Sequence, residues 1–218
     1  MKRIGITQRI SLQIHQQPHD CLDTAWTDLL LSIGLAPAPL PSLAMAADEV
    51  FDYLSECRLD GLVISGGNAV AGFGDPDVAE LAPRRDAFEA TAIDWAIARD
   101  IPTLAVCRGL QFLNVHLGGT ISPVDGHVGQ LHHLTRGSAP LPPPFVDLPA
   151  RFDVNSFHNF AISADELATD LRAAAHDGTG HIEAVFHAKR RIAGIMWHPE
   201  RANPGSAVDA RIIAALFD

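Results

Sequence analysis

The sequence predicts an α/β fold, a three-layer sandwich with a mostly parallel central sheet and a small antiparallel extension. From Arg3 to Leu117, short runs of aliphatic and β-branched residues alternate with segments of helical apolar spacing, the pattern of right-handed crossovers between parallel strands. After Gly119 the helical spacing disappears and strand-like runs follow one another through short turns. Between the two regions, Thr103-Leu104-Ala105-Val106-Cys107-Arg108-Gly109-Leu110-Gln111 reads as a strand, a tight turn and a helix with a thiol at the corner.

Taken in order, Arg3 to Thr7 is the first strand. Asp20 to Ile33 is the first helix, with Leu22, Ala25, Trp26, Leu29, Leu30 and Ile33 on one face and Gly34 ending it. Leu35 to Leu40 is a Pro-broken edge strand, Ala47 to Cys57 a helix and Gly61 to Ser65 a buried strand. Gly66 to Pro83, with Gly72, Gly74 and Pro76, reads as loop, and Arg85 to Arg99 as a helix turning Phe88, Ala92, Trp95 and Ala96 inward. Pro102 to Cys107 is the central strand and Arg108 to Leu117 the helix that leaves the corner. Residues 120 to 150 read as irregular and end in the Pro-rich arm 138–144, placed near the mouth of the site. Phe152 to Phe157, Leu171 to His176, Ile182 to His187 and Ile192 to Trp197 are strands, the last pairs antiparallel through turns at Asp177-Gly178 and Lys189-Arg190. Ser206 caps a closing helix that runs to Phe217.

A chain of 218 residues, 47% hydrophobic and 19% charged, can bury one sizeable core, so a single domain over residues 1–218 is expected. The net charge of −10 argues against a nucleic-acid partner, because phosphate binding needs a basic patch. No apolar stretch is long enough to span a bilayer, and Met1-Lys2-Arg3-Ile4-Gly5-Ile6-Thr7 enters a strand rather than a signal peptide, so a cytoplasmic location without membrane contact is expected. Cys21, Cys57 and Cys107 are odd in number and widely spaced, which disfavours a disulfide framework or a zinc site.

Alone, Cys107 reads equally as a small core residue. Its position at a helix N-terminus, however, favours a thiolate through unpaired N–H groups and the helix dipole. A cysteine nucleophile needs a base and a group that orients the base. The run Arg191-Ile192-Ala193-Gly194-Ile195-Met196-Trp197 delivers His198 to the end of a strand, with Glu200 two residues on and Pro199 restricting the backbone between them.

The A-V-C-R-G-L-Q and W-H-P-E segments together resemble the class I glutamine amidotransferase-like superfamily, over nearly the whole chain. Further matching segments are Gly61-Leu62-Val63-Ile64-Ser65-Gly66-Gly67-Asn68, Arg85-Asp86 with Glu89, Leu117-Gly118-Gly119-Thr120, and Val154-Asn155-Ser156-Phe157-His158. The Cys107-Arg108-Gly109 corner, the Arg85-Asp86 pair and the Asn155-to-His158 segment resemble its gamma-glutamyl hydrolase branch, the gamma-glutamyl-gamma-aminobutyrate hydrolase type in particular. Ala105 stands where the wider superfamily has Gly, and Ala69 where an Asp often follows Gly-Gly-Asn. The resemblance implies a flavodoxin-like sheet and a triad of Cys107, His198 and Glu200. It also implies an oxyanion hole from the backbone N–H groups of Gly67 and Arg108, and substrate contacts from Gly66, Gln111, Asn155, Ser156 and His158. Gln111 also reads as a solvated helix residue, and Arg84, Arg85 and Arg108 read either as salt-bridged surface residues or as partners of a substrate carboxylate.

The implied reaction is cleavage of a gamma-glutamyl amide through a thioester, releasing glutamate, with no metal or organic cofactor. The expected partner is a small gamma-glutamyl compound, and a homodimer stays open. Two alternatives are kept. The Gly5-Ile6-Thr7-Gln8-Arg9 start resembles hydrolases of bacterial surface-polysaccharide pathways, including one acting on a gamma-glutamyl-CDP-amidate, where Arg9 and Arg108 would meet phosphate. A glutaminase subunit feeding ammonia to a separate synthase is the other. Gly126-His127-Val128-Gly129-Gln130-Leu131-His132-His133 lacks a ligand spacing with a nearby Cys or acid and reads as a polar loop at the rim of the site.

Overall fold

A computed structural model describes residues 1–12, 17–73, 82–138, 140–202 and 204–218. Five parallel strands form its centre: β4 (Leu35–Leu40), β1 (Lys2–Thr7), β5 (Gly61–Ile64), β6 (Thr103–Val106) and β13 (Ile192–Ile195), side by side in that order. This is the flavodoxin-like arrangement. Four antiparallel strands continue the same sheet: β12 (Ile182–His187), β11 (Leu171–His176), β8 (Val128–Arg136) and β9 (Arg151–Phe157). Small two-stranded ribbons pair β2 (Arg9–Ser11) with β3 (His19–Cys21), and β7 (Ser122–Pro123) with β10 (Phe160–Ala161).

Alternation along the strands sorts side chains into two apolar layers. Ile4, Ile6, Val63, Leu104, Val106, Ala193 and Ile195 pack under α1 (Thr24–Ser32) and the C-terminal helix α5 (Ser206–Phe217), through Trp26, Leu30, Ile212 and Leu216. Leu62, Ile64, Ala105 and Val185 face α2 (Ala47–Glu56), α3 (Ala82–Arg99) and α4 (Arg108–His116), through Val50, Leu54, Phe88, Ala92, Leu110 and Leu113. Both faces of the central strands are thus covered, and their burial on both sides explains why they are short unbroken apolar runs. No helix among the described residues is long and apolar enough to cross a membrane.

Several elements depart from the sequence expectation. The first helix begins at Thr24, because Asp23 accepts a hydrogen bond from the Ala25 N–H as its cap, while His19–Cys21 pair with Arg9–Ser11. Leu35–Leu40 is an edge strand as expected: Pro37 and Pro39 sit in register with Ile4 and Ile6, and alternate prolines remove donors on one side only. The third helix starts at Ala82, so the expected loop is shorter at its end, and its residues 74–81 lie outside the described ones.

The region expected to be irregular contains the nine-residue strand β8. Its inward positions are His132 and Leu134, and a histidine facing the core hides the alternation that marks a strand. Ser206 is the first residue of α5 and not its cap, which is Gly205, without a capping side chain. The Pro-rich arm, whose Ala139 lies outside the described residues, runs away from the expected place. Pro142, Pro143 and Pro144 lie with Lys189, Arg190 and Arg191, at the start of β13, whereas the predicted triad gathers at that strand's other end.

Candidate active site

Cys107 follows the last residue of β6 and caps α4 with φ 51° and ψ −109°, a backbone region that residues with a Cβ adopt only under constraint. The constraint is visible on both sides. The Cys107 N–H donates to the Ile195 carbonyl at 2.8 Å, continuing the pairing with β13. Gly109 lets α4 lie directly against β5, since a Cβ there would stand 2.1 Å from the Ile64 carbonyl oxygen.

His198 leaves the end of the neighbouring strand and is held from three directions. Its Nδ1 lies 2.7 Å from Glu200 Oε1, with both side chains 3% exposed. With Nδ1 committed to the carboxylate, Nε2 is the nitrogen left for the Cys107 thiol beside the ring. Asn155 clamps the backbone: its Oδ1 accepts from the His198 N–H at 2.9 Å and its Nδ2 donates to the His198 carbonyl at 2.8 Å. Burial by itself would lower the imidazole pKa, but the hydrogen bonds and charges of Cys107 and Glu200 raise it to about 9. At neutral pH the ring is therefore a cation beside sulfur, placed to give up a proton.

The Gly66-Gly67-Asn68 loop closes over this pair. A Cβ on Gly66 would meet His198 Cε1 at 2.8 Å and Cys107 Cβ at 3.7 Å, so only glycine lets the loop come this close. Gly67 has φ +82° and lies against the Arg9 side chain. Arg85, fully buried, donates from its guanidinium to the carbonyls of Ser65 at 2.6 Å, Gly66 at 3.0 Å and Gly67 at 2.5 Å. Asn68 exchanges hydrogen bonds with the backbone of Ile10 at 2.8 and 2.9 Å. The loop is thus fixed before any ligand arrives, as a preorganised donor site requires.

Beneath it, Glu89 accepts from Thr7 Oγ1 at 2.6 Å and from Arg85 Nε at 2.8 Å, and Arg108 bridges Glu89 and Asp86. Arg108 and Arg85 are therefore spent on buried ion pairs, which removes the Arg108 side chain as a phosphate ligand. Arg84 binds the Ser42 carbonyl. Arg85 and Glu89 stand four residues apart on α3, the spacing that puts both side chains on one helix face.

Two cavities flank the Cys107–His198 pair. The larger, about 340 Å³, is lined by Gly67, Asn68, Cys107, Arg108, Gln111, Phe157, His158, Phe160 and Arg201 among others. The smaller, about 80 Å³, is lined by Arg9, Cys21, Trp26, Ser65, Gly66, Gly67, His198, Glu200 and Arg201 among others. Gln111 is buried, not solvated, and its amide donates to the Phe160 carbonyl at 3.0 Å. Asn155 and Ser156 line neither cavity. Asn155 serves the His198 backbone, and Ser156 Oγ donates to the His127 carbonyl at 2.5 Å, so both side chains are engaged within the protein.

The segment from Gly126 to His133 is not a rim loop. Val128 onward is strand β8, and His127 and His132 are buried beside His158 and Glu183. Sequence reasoning missed Glu183 and the positioning role of Asn155, and nothing local in either segment signals them.

The sequence pattern of the Peptidase C26 family matches residues 3–141 and 144–200. The chain belongs to the Peptidase C26 family. It is a C26 hydrolase of the glutamine amidotransferase-like kind. The gamma-glutamyl-CDP-amidate hydrolase of Campylobacter jejuni is 34% identical to this C26 chain over 206 residues, covering 92% of it and 90% of the relative. Anthranilate synthase of Azospirillum brasilense is 31% identical over 159 residues, 68% of this chain but 21% of that much larger protein. A solved glutamine amidotransferase from Thermotoga maritima, 18% identical, shares the fold with a TM-score of 0.63 across 98% of this chain and 81% of the other.

Proposed function

We propose that this C26 hydrolase cleaves the gamma-glutamyl amide bond of a compound whose leaving group is a phosphoramidate, a gamma-glutamyl-CDP-amidate being the leading candidate. The observation that carries the chemistry is the strained Cys107 corner beside His198, itself held by Glu200 at 2.7 Å. Two features support the leaving group. A named relative with that activity spans nearly the whole chain, and the smaller cavity carries two guanidinium side chains, Arg9 and Arg201, whose forks suit phosphate oxygens.

In the proposed mechanism Cys107 is the nucleophile and its thiolate attacks the gamma-carbonyl carbon. The tetrahedral oxyanion accepts from the backbone N–H groups of Arg108 and Gly67, fixed by α4 and by Arg85 respectively. The C–N bond breaks as His198 protonates the departing nitrogen, leaving a gamma-glutamyl thioester on Cys107. Water, losing its proton to His198, attacks the thioester; glutamate leaves and the thiol is restored. Glu200 keeps the imidazole oriented and stabilises its charged form throughout.

The glutamyl part occupies the larger cavity beside Gln111, and the phosphoryl end projects past Arg9. Purified protein supplied with gamma-glutamyl-CDP-amidate, gamma-glutamyl-aminobutyrate and glutamine should release glutamate fastest from the first, with the intact CDP-amidate as co-product by mass spectrometry. Equal rates on all three would remove the phosphoramidate assignment. The likeness to part of anthranilate synthase favours a second reading, a glutaminase that works with a synthase. Under it, all three compounds would be inert until a synthase is added.

A further inference from the structure

The structure places three histidines and one glutamate around a common point that the proposed reaction does not use. His127 precedes β8, His132 lies within it, His158 follows β9 and Glu183 lies in β12. All four are buried, and one ligating atom from each lies within 4.8 Å of those of the others. We propose that this cluster is a structural site for a divalent transition metal of the zinc type, with a three-imidazole, one-carboxylate ligand set.

The hydrogen-bond inventory is the reason. His158 Nδ1 lies 2.9 Å from the Phe160 carbonyl, an oxygen that only accepts, so the proton sits on Nδ1 and Nε2 presents a lone pair. That lone pair stands 3.3 Å from Glu183 Oε1, itself an acceptor. Two acceptors facing each other out of water need a cation between them. A proton would serve this one pair, but it leaves His127 Nδ1 and Glu183 Oε2, both buried, without any hydrogen-bond partner. A single metal ion satisfies all of them together.

The dimensions agree. Tetrahedral coordination with bonds of the usual zinc length puts ligand atoms about 3.4 Å apart and imidazole centres about 5 Å apart. His132 Nδ1 is 3.0 Å and His158 Nε2 3.3 Å from Glu183 Oε1, and the three ring centroids are 4.4, 4.9 and 5.4 Å apart, set edge to face.

The outer partners are also those of a metal site. The Phe160 carbonyl fixes the tautomer of His158, and the Asp177 carboxylate lies 3.9 Å from the other nitrogen of His127. With four protein ligands the site is closed, which marks a structural ion and not a catalytic one. It would tie β8, β9 and β12 together and hold the His158-to-Phe160 segment that lines the larger cavity.

The test uses the Cys107→Ala protein, so that the thiolate beside His198 cannot take the metal. After chelator treatment it is titrated with Co²⁺, followed by visible absorption, and then with Zn²⁺. One Co²⁺ per chain with the intense bands of tetrahedral geometry, displaced by one Zn²⁺ with a rise in melting temperature, is expected. His132→Asn and Glu183→Gln, each added to Cys107→Ala, should weaken binding by more than about 100-fold, beyond what loss of an outer partner costs. His181→Ala, which breaks the neighbouring His127, Asp177 and His181 trio, should leave it unchanged. Failure of the folded Cys107→Ala protein to take up one equivalent overturns the proposal. So does unaltered affinity in both ligand variants, or loss of binding in His181→Ala.

Discussion

Glu200→Gln keeps the size of the side chain and removes its charge, so it isolates what the carboxylate does for His198. His198 holds its proton to about pH 9 against an ordinary 6.5, a difference worth about 3 kcal/mol in favour of the charged ring. Burial acts against that form, and Cys107 and Glu200 overcome it, each through a hydrogen bond and a charge. With the Glu200 charge gone only Cys107 opposes burial, and the His198 midpoint should fall by at least about one pH unit, about 1.4 kcal/mol.

The titration can be read directly from imidazole nitrogen chemical shifts. Stability carries the same signal. Because the folded value is the raised one, the charged ring stabilises the fold fully below pH 6.5, and that contribution is lost as pH rises through about 9. Urea midpoints of the wild type should therefore drop between these limits, and those of Glu200→Gln much less. Turnover should fall by about 10²–10⁴-fold in Glu200→Gln and further in His198→Ala, which loses the proton carrier itself. A Glu200→Gln protein that still titrates near pH 9, or is slower than His198→Ala, refutes the assignment of roles.

Three other outcomes are expected. Cys107→Ala should lose turnover by several orders of magnitude with an unchanged circular dichroism spectrum, and in the wild type iodoacetamide should label Cys107 before Cys21 or Cys57, as peptide mapping would show. Gly66→Ala should lower kcat sharply, because the new methyl group would overlap His198 Cε1, placed 2.8 Å from it, at a packing cost of about 1–3 kcal/mol; crystallography or an altered His198 titration would reveal the displaced ring. Arg9→Ala should raise KM for the phosphoramidate substrate about tenfold and leave glutamine hydrolysis unaltered, a contrast that steady-state kinetics on the two substrates measures.

By itself the sequence determined whatever rests on neighbours along the chain. The α/β class, the order of the parallel strands' segments, the Cys107 corner and the spacing of His198 to Glu200 are all short-range patterns, each set by the period of an element or by the room a single glycine leaves. Gly109 and Gly66 stand out in those motifs as glycines, and the structure shows what each makes room for: the Ile64 backbone against Gly109, the His198 and Cys107 side chains against Gly66. Only the tertiary structure decided what depends on partners distant in sequence. Asn155 meets His198 across 43 positions, His132 meets Glu183 across 51, and Arg85 reaches the Gly66-Gly67 carbonyls from another element. The same dependence hid β8, whose inward histidine looks polar until Glu183 faces it, and placed the Pro-rich arm at the far end of the sheet. A buried polar side chain takes its meaning from the group that satisfies it, and periodicity along one segment carries no record of that group.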